Sequence, residues 1–295
     1  MIYSCLNGRL GNNLFEIAAG VSLAKRMNVP FKALMCKDIY MDFSDAVYLK
    51  QFGIDLQDTY PVNHPVYQET GFDYHPLPSE KDLVLHGYFQ SEKYFDEQLI
   101  RDLFRIDSHT ENYICEKYEN ILSRNPVSVL VRRGDYLIQE FRHPVCRMSY
   151  YKKAMSVFPP DTDFLIISDD IAWCKKHFIG SRFFFIDDEP PLVDLYIQSL
   201  CRHNIISNST FGWWGAWLNE NREKIVVYPS PWFGVTLRKT NVKDLCPENW
   251  VKVPLCGSFE LFFRDNYPLF AWKSTVFYRK VVNKLLWFAG RPYKY

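Results

Sequence analysis

VSVLVRRGDY, residues 127–136, runs a stretch of mostly β-branched and apolar residues into two arginines, a glycine and an aspartate. Such a run reads as a buried strand. A buried strand that delivers two cations to its own carboxyl end builds an anion site there, because open α/β sheets bind ligands outside the carboxyl ends of their strands. Two guanidiniums at that point suit a diphosphate.

Outward from this stretch the pattern is regular. Strands are expected at 127–131, 164–167, 182–186, 204–207 and 225–228, with helices around 149–157, 171–178, 191–202 and 211–220. Near-continuously apolar strands alternating with helices imply a parallel sheet covered on both faces, a Rossmann-like domain. Its strand ends are polar: Arg132, Arg133 and Asp135; Ser168, Asp169 and Asp170; Asp187 and Asp188; Asn208, Ser209 and Thr210. All fall on one rim of the sheet. Cations for phosphate, hydroxyls and amides at a helix start, and carboxylates for hydroxyls or base N–H groups together suit a sugar nucleotide.

Upstream, MIYSCLNGRLGNN reads as a strand at 2–6, a glycine loop, and a helix with Leu14, Ile17, Val21 and Ala24 on one face. Gly8 and Gly11 allow close approach to a ligand, but the loop lacks the Lys-Ser/Thr of a P-loop and the third glycine of a dinucleotide fingerprint. A plain strand-to-helix turn therefore stays open. Residues 30–80 are weakly periodic and are not ordered here. At 83–90 a strand is expected, with His86, Tyr88 and Gln90 on one face; a half-exposed edge strand is the alternative. A polar helix at 111–124, stopped by Asn125-Pro126, sets the domain boundary. The chain thus divides into an N-terminal Rossmann-like domain at 1–124, a second at 125–255, and a tail at 256–295.

Composition narrows the classes. A formal charge of +1 argues against nucleic acid as partner. The eight cysteines form no CxxC pair and read as reduced packing residues of a cytoplasmic protein. There is no signal-peptide pattern, and no run of about 18 apolar residues. The stretch 266–295 carries Lys273, Arg279, Lys280, Lys284, Arg291 and Lys294 without Asp or Glu, interleaved with apolar residues. It suits either peripheral contact with the inner membrane face or a terminal helix packed on the body. Arg133-Gly134-Asp135 follows a buried strand and is no adhesion motif. Asp161-Thr162-Asp163 precedes its strand and so falls on the wrong rim for a metal-diphosphate site. No zinc spacing occurs among the seven histidines.

GRLGNNLFE at 8–16, HGYFQSEKYF at 86–95, VLVRRGDY at 129–136, FLIISDD at 164–170 and SLCRHNIISNSTFGWWGAWLN at 199–219 together resemble the α-1,2-fucosyltransferases of glycosyltransferase family 11. The resemblance implies a GT-B fold, two Rossmann-like domains facing a cleft. It implies an inverting transfer of L-fucose from GDP-β-L-fucose to the 2-hydroxyl of a galactose-containing glycan, with no metal and no cofactor beyond the donor. By the same resemblance Arg132 grips the β-phosphate with Arg133 and Asp135 in support, Asp194 reads guanine, and Ser209 and Thr210 contact phosphate. Gly11 and Asn12, in the GRLGN turn, close over the donor from the other domain. The general base is open among Asp135, His86 and Glu16. Two departures stand out: the family usually has histidine where Leu130 stands, and glutamine where Asn13 stands. Leu130 keeps a second class in view, a nucleotide-sugar binding protein without turnover. A transferase using another GDP-sugar, such as GDP-mannose, is a third.

Overall fold

The computed structural model describes residues 1–35, 46–61 and 63–257. The fully buried strand β1 (Ile2–Leu6) leads into helix α1 (Leu10–Met27), which Asn28 ends in a left-handed conformation at φ 52°. Then follow β2 (Phe31–Met35), α2 (Ala46–Gln51), β3 (Leu56–Gln57), β4 (Val66–Gln68) and β5 (Leu83–His86). These strands form one parallel sheet in the order β3-β2-β1-β5-β4.

Helices α3 (Glu97–Leu103), α4 (Ser108–Lys117) and α5 (Glu119–Leu122) lead to the second sheet. Its strands are β6 (Val127–Val131), β7 (Phe164–Ser168), β8 (Phe183–Phe185), β9 (His203–Ile205), β10 (Val226–Ser230) and β11 (Val251–Pro254). Between them lie α6 (Met148–Met155), α7 (Ile171–His177), α8 (Pro191–Leu200) and α9 (Thr210–Leu218). All pairings are parallel and the order is β11-β10-β9-β6-β7-β8. The order reverses between β6 and β9, which opens a crevice at the carboxyl ends of those two strands. RRGDY follows one of them and NST the other.

The domains meet through α1 and α9. Phe15 lies 4.5 Å from Trp213 and 4.8 Å from Trp214, and Trp214 Nε1 donates to the Gly11 carbonyl at 3.0 Å. A Cβ on Gly11 would stand 2.5 Å from the Phe211 nitrogen, so only glycine lets the two helices approach this closely. Helix α9 is buried from Gly212 to Leu218 because α1, α8 and its own sheet enclose it. At its C-terminus Lys224 donates to the carbonyls of Ala216 and Trp217, at 2.9 and 3.1 Å, and to that of Asn219, a cation on the negative end of the helix.

Several expectations change. The polar helix at 111–124 is two helices, α4 and α5, separated at Tyr118. The strand at 83–90 ends at His86, because Gly87 (φ 158°) and Phe89 (φ 49°) leave extended geometry, so His86, Tyr88 and Gln90 do not share a strand face. The 30–80 region supplies three short strands of the first sheet, and β11 is an edge strand too short and exposed to show in the pattern. Among the described cysteines Cys115 alone is exposed. Among the described residues no helix is long and apolar enough to cross a membrane. The basic stretch at 266–295 lies outside them.

Candidate active site

Arg132 leaves the end of β6 with its side chain 19% exposed. Nη1 meets Asp169 Oδ2 at 2.8 Å and Nη2 meets Asp135 Oδ1, while the guanidinium sits 5.5 Å from the Tyr136 ring centre. Two of its five N–H groups are thus taken, and three remain for a ligand. Asp169 organises the whole turn: its Oδ1 also accepts the Arg133 amide at 2.9 Å, and a Cβ on Gly134 would stand 2.5 Å from its Oδ2. The carboxylate and the glycine together hold the RRGD turn tight against the end of β7.

The two arginines diverge. Arg133 Nε pairs with Asp170 at 2.9 Å, and its guanidinium stacks 4.0 Å over Trp173. Asp170 is also the N-cap of α7 and accepts the Trp173 amide. Arg133 is thus anchored to the start of α7, while Arg132 is braced between Asp169 and Asp135.

The first domain reaches the crevice through Asn12. Asn12 Oδ1 accepts from Gln90 Nε2 at 3.1 Å, from the loop after β5, and from Thr210 Oγ1 at 2.9 Å, at the start of α9. One amide thus joins both domains beside the crevice. Gly11, read as a ligand-approach glycine, instead carries the α1–α9 contact. Glu16, read as a possible base, is 0% exposed; its carboxylate accepts the Asn7 amide at 2.9 and 3.1 Å and Asn13 Nδ2 at 3.1 Å. It fixes the β1–α1 turn and is not presented to an acceptor, and Asn13 serves the same turn.

His86 ends β5 on the rim facing the second domain and is half-buried. Ser209 stands at the N-cap position of α9, yet its hydroxyl makes no capping bond. Asn208 is structural, donating to the Trp232 carbonyl at 3.0 Å and receiving Tyr136 OH on its own carbonyl at 3.0 Å. Asp194, in the first turn of α8, has a buried Oδ1 with no hydrogen-bond partner among the described residues. Burial, with Glu189 nearby, pushes its carboxyl up to about 7. A buried acceptor without a donor in the first turn of a helix can take an N–H group from a ligand.

Leu130 is 5% exposed and occupies the space that Gly212 of α9 leaves open, where a Cβ would stand 2.5 Å from its Cδ2. Sequence reasoning did not single out Asp169 from Asp170, nor His143, which stacks on Tyr136 at 4.9 Å and 20°. For Asp169 the FLIISDD strand end was a signal. For His143, alone in an irregular loop, there was none. The Asp161-Thr162-Asp163 triplet does sit at the opposite rim, where Asp163 pairs with Arg124 at 2.6 Å. Among the described residues no group of three His, Cys, Asp or Glu side chains could hold a metal ion.

Two Rossmann-like domains facing one crevice, with a fixed guanidinium at the switch point, have the GT-B architecture. Residues 29–253 match the family described as glycosyl transferase family 11, and the chain belongs to that family. It is 27% identical to the O-antigen biosynthesis glycosyltransferase WbnK of Escherichia coli, over 85% of this chain and 100% of that protein. It is 35% identical to an Escherichia coli alpha-1,2-colitosyltransferase, over 57% of this chain and 61% of the relative. It is 34% identical to the mouse galactoside 2-alpha-L-fucosyltransferase Sec1, over 72% of this chain and 63% of the relative. Among solved structures it is similar to a NodZ alpha-1,6-fucosyltransferase soaked with GDP-fucose, at 15% identity and TM-score 0.47, over 74% of this chain and 91% of that one.

Proposed function

We propose that the chain transfers L-fucose from GDP-β-L-fucose, with inversion and without a metal, to the 2-hydroxyl of a galactoside. The observation that carries this reading is the convergence, at the β6/β9 switch point, of Arg132, the start of α9 and the Asn12 turn of the opposite domain. Breaking the fucosyl bond leaves negative charge on the departing diphosphate and positive charge on the sugar. Arg132 and the free amides of the first turn of α9 meet that negative charge as it grows, so they bind the transition state more tightly than the ground state. Asp169 holds the guanidinium in place beforehand, and preorganisation of this kind avoids reorganisation during the step. Ser209 supplies a hydroxyl beside the phosphates, the Thr210 hydroxyl holds Asn12 over them, and Asp194 takes the guanine N–H edge. The names of the α-1,2 relatives support both the linkage and the donor class.

The test is transfer from GDP-fucose across a galactoside array in the presence of EDTA, with the product linkage read by NMR. An α-1,2-fucosylated product is expected. GDP release with no galactoside, or fucose on another hydroxyl, would overturn the reading. The relative named for colitose favours a second donor, since colitose is L-fucose without its 3-hydroxyl. Competition between the two GDP-sugars decides which one the cleft prefers.

A further inference from the structure

Beside Arg132 a wall of aromatic rings links the two domains. Tyr136 carries His143 stacked on its ring at 4.9 Å. His143 lies 6.2 Å from Phe233, Phe233 4.8 Å from Phe72, and Phe72 stacks on Tyr88 at 5.9 Å and 9°. Phe72 and Tyr88 belong to the first domain, while Tyr136, His143 and Phe233 belong to the second. The wall is built and not fortuitous. The His143 amide donates to the Gln139 carbonyl at 2.8 Å, and Gly234 and Thr236 bond back onto Arg142 and Phe141, tying the His143 loop to the loop after β10. Opposite, the Tyr74 amide and Asn241 tie the loop of Phe72 to the second domain through Asp244 and Asp73. Amid this fixed backbone, neither ring nitrogen of His143 has a hydrogen-bond partner among the described residues. An imidazole so held, and so little used by the fold, is placed for a ligand.

We propose that His143 takes the proton of the attacking hydroxyl, in an acceptor subsite bordered by the half-buried pair Phe72 and Tyr88, against which a hexopyranoside packs its apolar face. This rests on the fucosyl-transfer reading above. The acceptor oxygen forms its bond to C1 of the fucosyl group, and the C1–O bond to the β-phosphate breaks with its electron pair leaving on the diphosphate. The hydroxyl proton passes to an imidazole nitrogen and later to water. Aromatic faces suit the C–H face of a sugar while the rim keeps its polar groups wet.

The surroundings keep His143 neutral. Burial first, then Arg142 on its own loop and Arg132 from the end of β6, lower its affinity for a proton to a pKa of about 4, against the opposing pull of Asp135. The loop after β10 presents Phe233, which is uncharged, and Tyr136 lies against the ring. The imidazole is therefore uncharged at neutral pH but weakly basic, so it takes up the hydroxyl proton only when the donor is bound. Bound diphosphate brings negative charge to Arg132, raising the basicity of His143 when the donor is in place.

The test compares His143→Gln and His143→Ala with wild type in kcat for fucosyl transfer, KM for the acceptor and Kd for GDP-fucose. A general base contributes about 100-fold or more, so both variants should lose at least that in kcat with Kd unchanged within about two-fold. Added imidazole should restore part of the rate to His143→Ala, which a merely structural residue would not show. Phe72→Ala should raise acceptor KM with the donor Kd unchanged. Retention by His143→Gln of more than about a tenth of the wild-type kcat, or absence of imidazole rescue, overturns the proton role alone. A wild-type chain that transfers nothing from GDP-fucose overturns the donor reading and this inference with it.

Discussion

Asp194 is a carboxylate that the empty fold does not want ionised. Its Oδ1 is buried and unpartnered, its charged neighbour is Glu189, and its carboxyl is raised from 3.8 to about 7. The sign follows from proton counting. Between those two values the native state holds the proton and the unfolded chain has lost it, so this group's contribution to stability is complete below 3.8 and is lost as pH rises to about 7. Asparagine keeps the shape and removes the titration. At about 1.4 kcal/mol per unit, over roughly two units between pH 5 and the native pKa, Asp194→Asn should gain about 3 kcal/mol more on wild type near pH 8 than near pH 5. Urea unfolding at both pH values measures this. Isothermal titration with GDP should show the opposite: wild-type affinity rises as the carboxylate ionises and meets the guanine N–H groups, while the variant binds weakly at either pH. Equal stabilisation at the two pH values would refute the buried-acid argument. A variant that binds GDP as wild type does would refute the base-reading role.

Other substitutions separate site from scaffold. Arg132→Ala should lower transfer by about 3 to 4 kcal/mol of transition-state stabilisation, and Arg132→Lys should recover little of it, because an ammonium cannot replace a planar fork held by two carboxylates; steady-state kcat/KM checks both, and a lysine variant near wild-type turnover would sink the role. Gly11→Ala sets a methyl against the α9 backbone and should destabilise the protein by about 1–3 kcal/mol, read by thermal unfolding. Leu130→Ala opens a cavity beneath Gly212 and should cost about 2–5 kcal/mol in urea unfolding, with GDP-fucose affinity unchanged in titration.

The second domain was legible because its strands are buried on both faces and so spell themselves as apolar runs, each closing on polar residues at one rim. The first was legible only at its ends, in β1–α1 and in β5. Its strands β3 and β4 are two and three residues long, too short for any period to register, and they are specified by pairing with β2 and β5. At the site, residue type was easier to read than direction. Arg132 and Arg133 are neighbours in sequence, but the strand has ended and Arg133 turns the chain at φ −133°, ψ −63°, and only Asp170 and Trp173, at the start of α7, show which arginine the fold retains. Glu16 likewise reads as an available carboxylate until the Asn7 amide and Asn13 are seen to occupy it.

Leu130 bears on what kind of protein this is. Its departure from the family's usual histidine suggested a domain that keeps a nucleotide sugar without turning it over. In the fold that side chain lies beneath α9 in the core shared with Ile206 and Trp214, where it packs against Gly212 in the first turn of the helix. The family resemblance assigns that histidine to the nucleoside, and turnover does not depend on a contact that binds substrate and transition state alike. The groups whose interaction grows during the reaction, Arg132 with its Asp169 brace and the start of α9, are all in place. A nonturnover protein would have no need of a guanidinium held rigid by two carboxylates, since binding alone tolerates a mobile cation. The arrangement around Arg132 therefore favours an enzyme.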